Sequence, residues 1–237
     1  MNSPLYPLPA DEVHVWRIDL GRVVAEVEQL SRLLSPNEAA RAGRFKFRVD
    51  RDHFIAGRAV LRQISGRYLG TGPSNLVFSY GPQGKPSLAD NPHDLRFNLT
   101  HSHGLMLCAV GRSRELGIDL EHLRDDIDFG DIAQRFFAPQ EIATLRAVPT
   151  YMKKRAFFTC WVRKEAYIKA CGQGLSLPLD KFTVPILDTE PMRLRSESAP
   201  LEKWSLTPLS TEAGYVAALV AEGHPHILEV KDWHEVS

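Results

Sequence analysis

The sequence predicts an α+β protein in which one chain contains two similar α/β halves, each a helix packed on a small, mainly antiparallel sheet. Two observations lead to this fold class. A strand, a polar turn and an apolar strand follow one another at 97–110 and again at 204–220. Each copy is preceded by a helical segment that ends in glycines and by a turn that contains proline. Such repeats indicate a pseudo-dimer with a cleft at the junction of its halves, although chance similarity between short segments stays an alternative.

Length and charge set the first limits on function. The chain has 237 residues, enough for one large or two small domains, and we expect an N-terminal half of residues 1–113 and a C-terminal half of residues 114–237. Hydrophobic residues make up 43% and charged residues 24%, as in an ordinary soluble protein. Lys plus Arg equals Asp plus Glu at 29 each, so no overall field favours nucleic acid or an anionic membrane. Recognition of phosphate would have to come from local clusters.

Cysteine usage and apolar runs predict the compartment. Cys108, Cys160 and Cys171 contain no CxxC pair and cannot all form disulfides, and the sequence shows no signal peptide. This favours a reducing cytoplasm and argues against a zinc site. The longest apolar runs, at 105–110 and 215–221, are too short to cross a bilayer and indicate buried strands.

The first half begins with a predicted strand at 12–18 and a well-marked helix start. Ser35 suits the N-cap, Pro36 the first helical position, and Glu38 completes a capping box. The helical region that follows contains arginines at helical spacings, namely Arg44, Arg48, Arg51, Arg58 and Arg62. They predict one basic stripe, which is either a solvated face or a wall that binds anions. The scarcity of acidic neighbours favours the wall.

Two turns in the first half offer polar groups to an anion. The strand at 76–80 leads into a turn at 81–88, where Gly84 and Pro86 hold Lys85 as a fixed cation. The spacing does not match a Walker A loop. A second strand, at 95–100, runs into a polar turn that contains Thr100 and His101. Metal binding by His101 and His103 has weak support, and a turn directed at a phosphate is the better interpretation.

An acidic strand opens the second half. Residues 117–121 alternate apolar and acidic side chains, so Asp119 and Glu121 should share one face. Two adjacent carboxylates repel, and the pKa of one of them rises unless a cation neutralises them. The alternative is a solvent-facing edge strand with ordinary acids.

A helix at 156–170, stopped by Gly172 and Gly174, places Trp161, Glu165 and Lys169 on one stripe. Glu165 and Lys169 could be a weak surface pair. With Asp119 and Glu121, however, Glu165 would complete a set of oxygen ligands suited to Mg²⁺, which substrate phosphates usually complete.

These segments resemble the two signature motifs of the 4′-phosphopantetheinyl transferase superfamily. The first motif is Gly117–Glu121, and the second is Trp161-x-x-Lys164-Glu165-Ala166-x-x-Lys169-x-x-Gly172-x-Gly174-Leu175. Gly84–Pro86, Phe97–Ser102 and the basic segment before Gly57–Arg62 resemble upstream motifs of its Sfp-like branch, a pseudo-dimer in one chain with the active site at the junction. The resemblance covers roughly residues 35–178.

The resemblance implies a reaction: the 4′-phosphopantetheine group of coenzyme A is transferred to a serine of an apo acyl or peptidyl carrier protein, and 3′,5′-ADP is released. By similarity, Asp119, Glu121 and Glu165 would hold Mg²⁺ on the pyrophosphate. Glu165 would also be the general base, and Lys169 would neutralise charge on the departing oxygen. The resemblance further implies that CoA phosphates contact Arg51, Lys85, Thr100, His101 and Lys164.

The resemblance is incomplete in two places, and two other functions stay possible. Thr100 stands where serine is usual, and the helix at Ser35 has few of the lysines found in relatives. A non-catalytic protein that binds CoA or a carrier could keep the same fold, and a basic helix could serve nucleic acid. We expect the transferase, a monomer without nucleic-acid or membrane partners, with a carrier-docking surface at Phe136–Pro139.

Overall fold

Among the residues described in the first half, the chain forms four α-helices and five strands. The computed structural model describes residues 6–81, 84–172, 174–187, 189–196 and 200–235. Pro82 and Gln83, in the turn predicted at 81–88, lie outside these residues. The elements of the first half are β1 (Glu12–Asp19), α1 (Leu20–Val23), α2 (Val27–Ser31), α3 (Pro36–Ala42), α4 (Arg48–Leu69), β2 (Phe78–Tyr80), β3 (Pro86–Leu88), β4 (Leu95–Ser102) and β5 (Leu105–Arg112).

The second half repeats part of this order. Its elements are β6 (Leu116–His122), α5 (Phe129–Phe136), α6 (Pro139–Ala147), α7 (Thr150–Cys171), β7 (Trp204–Leu209), β8 (Tyr215–Glu222) and β9 (His226–Asp232). The first sheet has the order β4-β5-β1-β9 and the second the order β6-β8-β7, while β2 and β3 form a separate hairpin. A strand, a long helix and an antiparallel hairpin therefore occur in both halves with the same neighbours. The predicted α+β pseudo-dimer is confirmed.

One strand crosses the predicted division of the chain. The division at 113/114 falls in the turn between β5 and β6, but β9 pairs in parallel with β1 of the first sheet. The part of the sequence after residue 113 therefore supplies β9 to the sheet of the first half.

The helix ends agree with the local sequence. Ser35 Oγ accepts a hydrogen bond from Glu38 N, and the Glu38 carboxylate accepts one from Ser35 N, so α3 begins with the predicted capping box. α4 and α7 each have 22 residues and end at Gly70 and Gly172, which adopt left-handed φ values of 62° and 69°. A residue in the left-handed conformation ends an α-helix. Glycine occupies both positions because any side chain would be strained there.

The predicted basic stripe does not form. Arg62 is buried and its guanidinium donates to the Glu38 carboxylate at 2.8 Å, while Arg58 is also buried, 3.6 Å from the same carboxylate. Arg44 lies in the turn between α3 and α4. Arg58 and Arg62 lie seven and eleven residues after Arg51, on the same side of α4. This side of the helix packs on α3, so both arginines are buried.

The core has three apolar layers, two under the long helices and one between the sheets. α4 covers Trp16 and Ile18 of β1, and α7 covers Val216, Ala218 and Val220 of β8. The layer between the sheets contains Val13, Val15, Leu105, Leu107, Ala109, Leu116, Ile118, Leu120, Ala217, Leu219 and Ala221. Because Ile118 and Leu120 point into this layer, the intervening residues of β6 point toward α7.

α7 lies directly on the backbone of β6. A Cβ atom on Gly117 would be 2.0 Å from the carbonyl oxygen of Ala166 and 2.3 Å from the nitrogen of Ala170. Only glycine permits this approach, and it brings the last turns of α7 next to Asp119 and Glu121.

Candidate active site

An ion pair joins β6 to the last turn of α7. Lys169 Nζ lies 2.6 Å from Asp119 Oδ1 and donates to the Ile118 carbonyl oxygen at 3.3 Å. The Asp119 side chain is 7% exposed and that of Lys169 30% exposed. Lys169 therefore pairs with a buried carboxylate across two elements, and it does not form the i,i+4 surface pair with Glu165 that spacing alone allowed.

The three predicted acids share one electrostatic environment. Burial, together with the charges of Asp119 and Glu121, raises the pKa of Glu165 to about 7 against the opposing effect of Lys169. Burial and the charge of Asp119 likewise raise the pKa of Glu121. Burial also raises the pKa of Asp119, although Lys169 and Thr100 counteract it. Asp119, Glu121 and Glu165 thus come together at the junction and lack enough positive charge to neutralise them all.

One carboxylate oxygen in this group has no partner. Asp119 Oδ2 is buried and accepts no hydrogen bond, whereas Oδ1 accepts from both Lys169 and Thr100. Within the described residues, no three His, Cys, Asp or Glu side chains are arranged to hold a metal ion by themselves. An open oxygen beside excess negative charge nevertheless fits Mg²⁺, because this ion takes one or two carboxylates and completes its shell with water and substrate phosphates.

β4 of the first half supplies hydroxyl groups to these acids. Thr100 Oγ1 donates to Asp119 Oδ1 at 3.1 Å, and Ser102 Oγ donates to Glu121 Oε2 at 3.1 Å. The Thr100 hydroxyl, which we expected near a phosphate, is used by Asp119 in this structure. Ser102 and its neighbour Asn98 were missed by sequence reasoning. The signal that could have marked them as one group is a polar residue at every second position, Asn98, Thr100 and Ser102, on one face of β4.

His101 lies close to Lys169 on the side of the first half. His101 is accessible on β4, and burial by its surroundings together with the charges of His53 and Lys169 lowers its pKa. Its neighbour His53 lies on α4, as does Arg51, whose guanidinium donates to Asp52 Oδ1 at 2.9 Å. The N-terminal part of α4 and the end of β4 therefore carry the accessible nitrogen groups on this side of the junction.

Lys85 bridges the two halves. Its ammonium group donates to the carbonyl oxygens of Lys169 at 2.9 Å and Leu116 at 3.2 Å, and to Glu115 Oε2 at 3.2 Å. An ammonium group has three hydrogens, so these three acceptors satisfy it. In this structure Lys85 supports the end of α7 and the start of β6, and phosphate binding by it stays a prediction.

Lys164 does not face the site. Its side chain is fully buried and contacts the carbonyl oxygens of Leu179 and Phe182 at 2.6 and 2.7 Å and Glu141 Oε2 at 2.8 Å. Consecutive helical residues point about 100° apart, so the residue before Glu165 enters the core of the second half. The prediction that Lys164 binds a CoA phosphate is therefore wrong for this arrangement.

Trp161 and the predicted docking segment form part of the packing behind Glu165. The Trp161 ring lies 5.9 Å from the ring of Phe136, and Phe137 and Ala138 are buried. Phe137 is thus a core residue, which removes it from the proposed carrier-docking surface. No helix in the described part of the chain is long and apolar enough to cross a membrane.

Comparison with known proteins gives a consistent result for both halves. The family model described as 4′-phosphopantetheinyl transferase superfamily matches residues 115–220, and the model described as 4′-phosphopantetheinyl transferase, N-terminal, matches residues 23–112. The chain is 42% identical to the 4′-phosphopantetheinyl transferase HetI of Nostoc sp., over 98% of this chain and 96% of that protein. It is 35% identical to the 4′-phosphopantetheinyl transferase Sfp of Bacillus subtilis, over 67% of this chain and 69% of that protein.

Proposed function

Because the chain belongs to the 4′-phosphopantetheinyl transferase superfamily, we propose that the acidic group around Lys169 is its catalytic centre. The protein transfers the 4′-phosphopantetheine group of coenzyme A to a serine of an apo carrier protein and releases 3′,5′-ADP. The observation that supports the location is the group of three carboxylates with raised pKa values, one of which, Asp119, has an unpartnered buried oxygen.

Asp119, Glu121 and Glu165 would hold Mg²⁺ in this proposal. When bound, the ion would neutralise negative charge on the CoA pyrophosphate and orient it. The chain itself supplies the pocket for that charge: α7 closes one side over Gly117, and the β4 hydroxyls fix the carboxylates from the other.

Glu165 acts as the general base toward the carrier serine, directly or through one water. Without bound metal, burial and the neighbouring carboxylates raise its pKa to about 7, so its surroundings favour acceptance of a proton. The serine oxygen forms the new bond to phosphorus while the bridging phosphorus–oxygen bond breaks, and the serine proton moves to Glu165. Lys169 would neutralise charge on the departing 3′,5′-ADP oxygen.

Contacts to the other CoA phosphates are proposed for His101, which is accessible and lies close to Lys169, and for Arg51, for which the motif resemblance implies such a contact. Thr100 and Lys85 would reach CoA only by giving up present partners. We further propose a cytoplasmic monomer. Free Cys108, Cys160 and Cys171 suit a reducing compartment, and the two halves within one chain already form a complete junction.

A fluorescent CoA derivative and an apo carrier protein test the proposed centre. Labelling should require Mg²⁺, release 3′,5′-ADP, and fall at least about 100-fold in Asp119→Ala. Lys181→Ala, which removes an exposed charge paired with Asp180, is the control and should label normally. Undiminished labelling by Asp119→Ala would contradict the assignment, and binding of CoA without any 3′,5′-ADP release by the unaltered protein would contradict catalysis.

A further inference from the structure

A row of polar side chains on β4 contacts the edge of β6. Asn98 Oδ1 accepts from Ile118 N at 2.8 Å, Thr100 donates to Asp119, and Ser102 accepts from His122 N at 3.1 Å while it donates to Glu121. β4 is an edge strand of the first sheet and β6 an edge strand of the second. Side chains at every second residue of β4 therefore take the place of a backbone ladder between the two edges.

The hydrogen bonds of Ser102 fix the direction of its hydroxyl. The backbone N–H of His122 can only donate, so it occupies a lone pair of Ser102 Oγ. The single hydroxyl hydrogen is then directed to Glu121 Oε2 at 3.1 Å. The carboxylate of Glu121 is thus held through one oxygen by a group that the β6 backbone itself orients.

The same arrangement holds for Asp119. Thr100 and Lys169 both donate to Oδ1, at 3.1 and 2.6 Å, and Oδ2 accepts nothing. Thr100 is 6% exposed and Asp119 is 5% exposed. Water therefore does not compete for the hydrogen bond from Thr100 to Asp119 Oδ1. Thr100, together with Lys169, therefore fixes which oxygen of Asp119 is left open, and Ser102 holds one oxygen of Glu121.

We propose that Thr100 and Ser102 are positioning residues that set the metal affinity of the carboxylates in the other half of the chain. The inference rests on the proposed function, since it takes Asp119 and Glu121 as the residues that hold Mg²⁺. Groups that hydrogen-bond to metal ligands change metal affinity by about 10- to 100-fold when they are removed, because a freely rotating carboxylate must be ordered on binding. The first half thereby controls the metal without contacting it.

Manganese binding tests this separately from turnover. The electron paramagnetic resonance signal of free Mn²⁺ is titrated against the full chain with saturating CoA and no carrier protein. Ser102→Ala and Thr100→Val should each raise the Kd for Mn²⁺ by about 10-fold. Ser102→Thr keeps a hydroxyl and should stay within about threefold of the unaltered protein. Ser31→Ala removes an exposed hydroxyl bonded to Glu28 O and is the matched control.

Three further measurements separate the possible failures. Glu121→Gln shows whether the metal binds at this carboxylate: an unchanged Kd would overturn the proposed centre and this inference with it. A raised Kd in Glu121→Gln together with an unchanged Kd in Ser102→Ala would overturn the positioning role alone. CoA affinity measured in EDTA, and the thermal midpoint, should change no more in Ser102→Ala than in Ser31→Ala. A loss of metal affinity that merely follows unfolding would contradict the proposal.

Discussion

The two halves share a scaffold and differ in what fills the space between strand and helix. In each half a short helix carries a buried glutamate that accepts from the backbone nitrogen before that helix and binds a cation on the long helix. Glu38 binds Arg62 at 2.8 Å, and Glu141 binds Lys164 at 2.8 Å. Arg62 and Lys164 hold the same position in two helices of 22 residues. This repeated ion pair is structural, which explains why Lys164 is not available to a substrate.

The strands beneath these helices differ. His14 of β1 bonds Tyr68 of α4 at 2.7 Å, where Gly117 of β6 lies against Ala170 of α7. Counting along each strand from these contacts, the positions of Asp119 and Glu121 in β6 are filled by Trp16 and Ile18 in β1. On the helices, Gln63 and Arg67 stand where Glu165 and Lys169 do. Aromatic rings fill the space between strand and helix in the first half, and charged side chains occupy it in the second half.

The largest effect is expected when Glu165 is replaced by glutamine, the residue type of its counterpart Gln63 in the first half. Glu165→Gln should lower kcat by about 10³-fold, within the usual range for loss of a general base, because the amide cannot accept the serine proton. Single-turnover labelling measures the effect. Gln63→Ala, at the corresponding site of the first half, should keep kcat within about threefold. Comparable losses in both variants would show that the effect is structural.

The repeated ion pair predicts equal effects on stability in the two halves. Glu141→Gln and Glu38→Gln should each lower the free energy of unfolding by roughly 3–5 kcal/mol, because a buried cation loses its partner. Urea unfolding followed by circular dichroism measures this. Adding Lys164→Met to Glu141→Gln should restore much of the loss. A double variant no more stable than Glu141→Gln would contradict the pairing as its cause.

Gly117 permits the close approach of α7 to β6, whereas the corresponding position of β1 is occupied by His14. Gly117→Ala should lower the free energy of unfolding by about 1–3 kcal/mol, since the methyl group would meet backbone atoms of α7. It should also raise the Kd for Mn²⁺, because Glu165 moves away from Asp119 together with the helix. Ala40→Gly on exposed α3 is the control for a change between alanine and glycine alone. Wild-type stability with unaltered metal affinity would refute the close approach.

The raised pKa of Glu165 predicts that the stability of the protein depends on pH. Gln63, at the corresponding position of the first half, does not titrate and makes no such contribution. The folded protein holds this proton to about pH 7, whereas the ordinary value is 4.5. The unfolded chain therefore loses its proton first, and stability should fall as pH rises from about 4.5 to about 7. Relative to Glu165→Gln in EDTA, the fall should be on the order of 1–2 kcal/mol after allowance for solvent screening. Thermal melts across this range would detect it, and parallel curves would contradict the shift.

The smallest effect is expected at the bridge between the halves. Lys85→Ala should lower the free energy of unfolding by about 1 kcal/mol, because its three acceptors are partly exposed and can bind water instead. If Lys85 also binds a CoA phosphate, the KM for CoA should rise several-fold. Steady-state kinetics with Lys181→Ala, an exposed lysine of the second half, as control separates the two roles.

Local signals predicted the features that depend on neighbours in sequence. The capping box at Ser35, the end of α7 at Gly172 and the shared face of Asp119 and Glu121 all follow from short-range rules. The features that depend on distant packing were not predictable. Helical spacing grouped Arg58 and Arg62 with Arg51 but could not tell that α3 would cover them. Likewise, nothing local indicates that Ser102 would meet Glu121 across the junction.

The parallel pairing of β9 with β1 also orders events during synthesis. β1 leaves the ribosome well before β9, so one edge of the first sheet stays open until β9 has been made. The exposed edge of β1 is a ready template for strands of other chains in the meantime. The last strand thus closes the half that was made first, and neither half obtained by cutting at 113/114 would contain a complete first sheet.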